Sequence, residues 1–158
     1  MALRNIVVEG DEILRKKCRE VSEIDDRIRG ILDDMLETMR AYQGVGIAAP
    51  QVGIMRRMFI VEVEEGEVIE LINPEIIETR GSAVEAEGCL SVPGMIGDVE
   101  RPEYVKIKGL NRYGEEVVHE GEGLKAVAFC HENDHLDGIL YIDKAENIRD
   151  AEAEVEEE

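Results

Sequence analysis

The chain has 158 residues, the usual size of one domain, and 44% hydrophobic content is enough to build a buried core. Aromatic residues make up only 4% and tryptophan is absent, so that core is expected to consist of Ile, Leu, Val, Met and Ala. Thirty-seven acidic against 18 basic residues give a formal charge of -19, a surface that repels nucleic acid and anionic membrane.

The opening MALRNIVVEGDEILRKK lacks the unbroken apolar run of a signal peptide, and no apolar stretch of membrane-spanning length follows it. The expectation is a soluble, cytoplasmic protein. From Asp25 to Gln43, the apolar residues Ile28, Ile31, Leu32, Met35, Leu36 and Met39 recur at i, i+3, i+4, i+7, i+8 and i+11, which is one stripe of an amphipathic helix. Asp25 or Asp26 is placed to cap its start, and Gly44 and Gly46 to stop it. The middle of the chain changes period. MFIVEV (58–63), VIELIN (68–73), EIIET (75–79) and YVKIKGL (104–110) are β-branched and partly alternating, as strands are. NRYGE (111–115) is a turn between two such runs, which predicts a hairpin. A second helix is expected over Glu122 to Leu136, with Gly138 just past its end. The fold class is therefore α+β: antiparallel strands around a central helix, in a single compact domain over 1–145. The closing AENIRDAEAEVEEE carries seven acids and one arginine and reads as an acidic tail over 146–158, a solvated or frayed helix.

The second helix carries the chemistry. Residues 130–138 read CHENDHLDG, with two histidines four apart and a glutamate after the first. On a helix such residues are rotated by about 40° and raised by roughly 6 Å, so His131 and His135 share a face and can converge on one cation. Glu132 is turned about 100° away. It is a poor ligand for the same ion but can exchange protons with water activated there. Read blandly, the pair is two half-exposed histidines on an amphipathic helix. A catalytic metal normally has three protein ligands, so the spacing raises the question of the third. An HExxHxxGxxH layout is matched at Gly138 but places Tyr141 where the third histidine belongs. A glutamate ligand would have to come from the acidic tail, for example Glu154 or Glu156. His119 lies at an expected strand end and reads as a surface residue. Cys18 sits in a basic stretch without companions, and Cys130 points away from His131 towards the core. The three cysteines, an odd number, imply no disulfide framework. Cys89, in EGCLSVPG, is flanked by Gly88 and by Pro93-Gly94, the marks of irregular backbone beside a strand. It completes a Cys-His-His set if it is a ligand, and is an ordinary buried thiol if it is not.

Three separated segments, GVGIAAPQ (44–51), EGCLS (87–91) and HENDH (131–135), resemble the signature motifs of the peptide deformylases, in the same order and at similar spacing. RNIVVEGDEILRKK and SVPGMIGDVERPEYVKIKGL also resemble that family, so the likeness covers roughly residues 2–145. The resemblance implies a hydrolase that removes the formyl group from the N-terminal formyl-methionine of newly made polypeptides and releases formate. It makes Cys89, His131 and His135 the ligands of one divalent metal ion. That ion is expected to be Fe2+ in the cell, with Zn2+, Ni2+ or Co2+ as substitutes in preparations. It makes Glu132 the proton carrier, and the Gln51 side chain and the Leu90 backbone N–H the donors to the developing oxyanion. The substrate peptide would pair as an added strand near Gly46 and Gly88, with its methionine in an apolar pocket formed by Val45, Leu124, Val127 and His131, and Leu90 nearby. Glu87 would orient the loop through a salt bridge or backbone hydrogen bonds. Asp134 or Asp137, beside the histidines, is placed to accept a supporting hydrogen bond.

Departures from the family pattern are local. Cys130 stands where glutamine is common, Lys125 interrupts a usually apolar position, and Ile96 replaces an arginine that contacts substrate in some members. The tail AEAEVEEE is the opposite in charge of the basic C-terminal helix that docks certain relatives on the ribosome, so docking of that kind is not expected, nor is direct nucleic-acid or membrane binding. A general HExxH peptidase would cleave internal peptide bonds and have no use for Cys89 or Gln51. A non-catalytic peptide- or metal-binding paralogue would usually have lost Glu132, Gln51 or Cys89.

Overall fold

The computed structural model describes residues 2–151. Helix α1 spans Asp26–Ala41; Asp25 caps it, its carboxylate accepting from the Ile28 N–H at 3.0 Å. Strands follow at Gly46–Ala48 (β1), Met58–Val61 (β2), Ile69–Arg80 (β3), Ala83–Cys89 (β4), Val92–Arg101 (β5), Tyr104–Leu110 (β6) and Glu116–Glu122 (β7). Helix α2 covers Leu124–Leu136, and strand β8, Glu146–Asp150, comes last. Five strands form one antiparallel sheet in the order β1-β2-β3-β6-β7, and three form a second in the order β4-β5-β8.

The unbroken apolar run of β2 has a direct cause: both of its faces are covered. Phe59 and Val61 point into the cluster that contains Phe129 and Leu136 of α2, whereas Met58 and Ile60 point into the one that contains Met35 and Met39 of α1. The larger sheet is thus packed between the two helices. Helix α2 is enclosed on almost every side, with Ala126 to Glu132 buried without a break. At its end Gly138 takes φ 75°, where a Cβ would lie 2.4 Å from the Arg15 carbonyl oxygen, so only glycine fits.

The predicted helices and the hairpin at 111–115 are present, as is the α+β class. VIELIN and EIIET, read as separate runs, belong to one strand. Its register shifts between Ile72 and Glu75, where Asn73 adopts φ 52° ahead of Pro74. The Asn73 side chain bonds both the N–H and the C=O of Val21, at 2.8 and 2.9 Å, which holds the bulge in place. The reading of 146–158 as a tail with helical character does not hold for its first residues. Segment 146–150 pairs as β8 with β5, Ile96 lying opposite Arg149; residues 152–158 lie outside those described. Among the described residues, no helix is long and apolar enough to cross a membrane.

Candidate metal centre

One strand of the smaller sheet and the second helix supply the site. Cys89 is the last residue of β4, just after a register shift that separates it from Glu87. His131 and His135 project from α2 with ring centroids 5.0 Å apart. Cys89 Sγ lies 3.4 Å from His135 Nε2, and the ligand atoms of all three residues fall within 4.8 Å of one another.

Polar groups outside this triad set its orientation. The His131 Nδ1–H donates to Glu87 Oε1 at 2.9 Å, which leaves Nε2 for a cation. Arg101, buried at the end of β5, grips both oxygens of Glu87 at 2.8 and 3.1 Å and Asp134 at 2.7 Å. Burial alone would raise the Glu87 pKa, but hydrogen bonds from His131 and Arg101 hold it below the usual carboxylate range. Glu87 therefore forms the expected salt bridge. The supporting hydrogen bond expected from Asp134 or Asp137 comes from Glu87 instead, because those aspartates are engaged elsewhere. Asp134 bridges Arg101 and Lys144, and Asp137 pairs with Arg57 at 2.9 Å. The ring of Tyr141 stacks on His131 at a centroid distance of 6.1 Å, and its hydroxyl donates to the Met95 carbonyl at 3.1 Å.

Gln51 is buried in the 3₁₀ turn Ala49–Val52. Its carbonyl oxygen accepts from the Ala48 N–H at 2.9 Å, so the amide NH2 faces the site, 3.1 Å from Ser91 Oγ and 3.6 Å from Cys89 Sγ. The N-terminal segment fastens both loops: Val7 N–H donates to the main-chain carbonyl of Gln51 and Glu9 N–H to that of Ser91, each at 2.7 Å. Glu132 is 4% exposed and its Oε1 has no hydrogen-bond partner. Burial pushes its pKa up to about 7, where a carboxyl group can both accept and release a proton near neutrality. At Gly46 a Cβ would lie 2.5 Å from Glu132 Oε2. The glycine is thus the one residue that lets β1 and the carboxylate share this space.

The donor set fits a divalent cation. A soft thiolate and two imidazoles suit ferrous iron or zinc, and burial followed by the proximity of His131 drives the His135 pKa well down, which keeps that ring neutral. The other cysteines are ordinary core thiols: burial pushes Cys18 and Cys130 each up to about 11.

A cavity of about 850 Å³ opens over the triad and is lined by Val45, Gly46, Gln51, Glu87 to Leu90, Leu124, Val127, His131 and Glu132. Every site residue expected from the sequence lines this space or belongs to the triad. Reading the sequence did not find Arg101, Ser91 or Tyr141. Arg101 is 14 residues from Glu87 and meets it only because β4 and β5 fold back on each other. His119, expected at a strand end, lies within β7 opposite Ile107.

The polypeptide deformylase family profile matches residues 3–151. A peptide deformylase 1 from Clostridium acetobutylicum is 58% identical over 144 residues, spanning 91% of this chain and 95% of its own. A peptide deformylase from Acetivibrio thermocellus is 56% identical over 91% of this chain and 84% of its own. The crystal structure of peptide deformylase from Thermotoga maritima superposes with a TM-score of 0.88 at 43% identity, covering 91% of this chain and 98% of that one. A Synechococcus elongatus peptide deformylase solved in complex with actinonin gives a TM-score of 0.88 at 40% identity, over 91% and 79% of the two chains. With its profile matched from residue 3 to 151 and its triad assembled on a buried HExxH helix, the chain belongs to the polypeptide deformylase family of metal-dependent hydrolases.

Proposed function

We propose that the protein hydrolyses the formyl amide of N-terminal formyl-methionine on newly made polypeptides, with formate and a free N-terminus as products. The observation that carries this reading is the unpartnered Glu132 carboxylate beside the Cys89–His131–His135 triad, with the Gln51 amide donor aimed at the same space. A bound divalent cation, Fe2+ in the cell, supplies Lewis acidity towards water and the formyl carbonyl.

The protein's own groups do the rest. Glu132 removes the proton of the attacking water and returns it to the departing amine. The Gln51 NH2 and the Leu90 backbone N–H donate to the oxyanion as the formyl carbon becomes tetrahedral, each worth about 3 kcal/mol of barrier lowering. Gln51 suits this role because its oxygen is held by the Ala48 N–H, so its orientation costs nothing further on reaction. The peptide lies along β1 near Gly46 and beside Gly88, and its methionine enters between Val45, Leu124 and Val127. Hydrolysis is in the cytoplasm and needs no nucleic acid, membrane or basic ribosome-docking helix. The acidic residues 152–158 on which the ribosomal expectation rests lie outside the described residues.

The test is formate release from a short formyl-methionyl peptide by protein loaded anaerobically with ferrous iron. The parent releases formate, whereas Glu132→Ala keeps its metal and loses at least about 10²-fold in kcat. Parent protein that retains metal and releases no formate would sink the proposal.

A further inference from the structure

The cavity over the triad does not end at an apolar wall. Beyond it lies a second cavity of about 410 Å³, and Glu85, Gly123 and Val127 line both. The junction is formed by a valine, a glycine and one carboxylate. Glu85 and Glu87 stand two apart in an uninterrupted stretch of β4, opposite Val99 and Gly97, so their side chains leave the strand on the same face. Because Glu87 faces His131, Glu85 faces the same space about 7 Å further along.

The two differ in their surroundings. Glu87 is buried and neutralised by Arg101, whereas Glu85 is exposed and joins none of the ion pairs among the described residues. The arginines lining the second cavity are already engaged: Arg101 by Glu87 and Asp134, Arg80 by Glu78 and by the Tyr104 ring, 3.9 Å below its guanidinium. A cation reaching the junction therefore meets one carboxylate without a competing partner.

We infer that Glu85 is a specificity-determining residue at the open end of the side-chain pocket, and that it lets the pocket take a long side chain with a cationic end, such as formyl-lysine, as well as methionine. The inference rests on the formyl-peptide reading of the cavity. The methylenes of such a side chain pass Leu124 and Val127, and its ammonium emerges beside Glu85 where water still reaches it. It is therefore spared most of the cost of burying a charge.

The experiment compares formyl-methionyl, formyl-norleucyl and formyl-lysyl peptides that are otherwise identical. The parent is set beside Glu85→Gln, and beside Glu103→Gln, which removes an exposed carboxylate that lines the second cavity beside Gly81 and does not line the first. The lysyl-to-norleucyl ratio of kcat/KM falls about fivefold in Glu85→Gln, and raising the salt from about 0.05 to about 0.5 M lowers that ratio in the parent but not in the variant. An unchanged ratio in Glu85→Gln, or an equal fall in Glu103→Gln, overturns the assignment. Binding of the two peptides to metal-free protein, measured by calorimetry, repeats the comparison without turnover. Parent protein that does not hydrolyse the formyl-methionyl peptide defeats the reaction proposed above, while the calorimetric ratio still decides the role of Glu85.

Discussion

At the scale of single residues, the site leaves its groups little spare room. Gly46 shows this most simply. A methyl group there would lie 2.5 Å from Glu132 Oε2, so Gly46→Ala must turn the carboxylate aside. The expected result is a fall in kcat of about 10² to 10⁴, the usual worth of a positioned general base, at unchanged metal content by elemental analysis. Glu87→Gln acts on the metal instead. It weakens the acceptor for His131 Nδ1 and leaves Arg101, 4% exposed, short of a counter-charge. Metal affinity by chelator competition should fall about 10- to 100-fold. The motif residues were legible in the sequence because they lie close together in the chain or have few rivals: two histidines at helical spacing, and a cysteine between glycine and proline-glycine. Arg101 was not, because a lone arginine in GDVERPE carries no local signal. Its partner is fixed only by the register of β4 against β5.

At the scale of elements, burial explains which strands the sequence revealed. β2 and β6 stood out because β2 is apolar on both faces and β6 alternates; Val105 and Ile107 are buried and Lys106 and Lys108 are not. β4, reading AVEAEGC, has no such period: its one buried side chain, Glu87, is a glutamate tied into the site, so the pattern gives no apolar face. β8 was hidden by charge for a similar reason, with Arg149 answering Asp98 across the pair at 3.1 Å. The end of α1 is tied to the residue after β2 by Arg40 and Glu62, whose carboxylate also accepts from the Gly66 N–H. The hydrogen bond from Arg40, then that from Gly66, hold the Glu62 pKa down at about 2. Because the folded value lies below the unfolded one, this contribution is fully present above about pH 4.5 and is lost as the pH falls towards 2. The stability difference between the parent and Glu62→Gln in urea should therefore shrink over that interval. Half-exposed Arg40 makes the same difference smaller at high salt.

For the whole molecule, the triad joins parts that otherwise meet through side-chain packing and a few polar ties, Glu87 to His131 and Arg101 to Asp134. Cys89 belongs to the three-stranded sheet, and both histidines to the helix enclosed by the five-stranded one. A cation held by all three binds the folded chain and not the unfolded one. Free metal at a hundred times its Kd should then add about 2.7 kcal/mol of stability. Differential scanning calorimetry of loaded and chelated protein should show the higher melting temperature for the loaded form, and Cys89→Ala should remove most of the gap. Strand β8 has a consequence of another kind. It covers one side of β5 so closely that a Cβ at Gly97 would lie 3.2 Å from Ile148 Cγ1. A chain cut after Ala145 would keep every residue of the site, yet it would bare the β5 N–H and C=O groups that β8 now pairs, a template for strands of other copies. Such a chain should self-associate with rising concentration while its freshly diluted monomer still turns over. The acidic C-terminal strand would then act as a guard against aggregation for a fold whose chemistry is already complete without it.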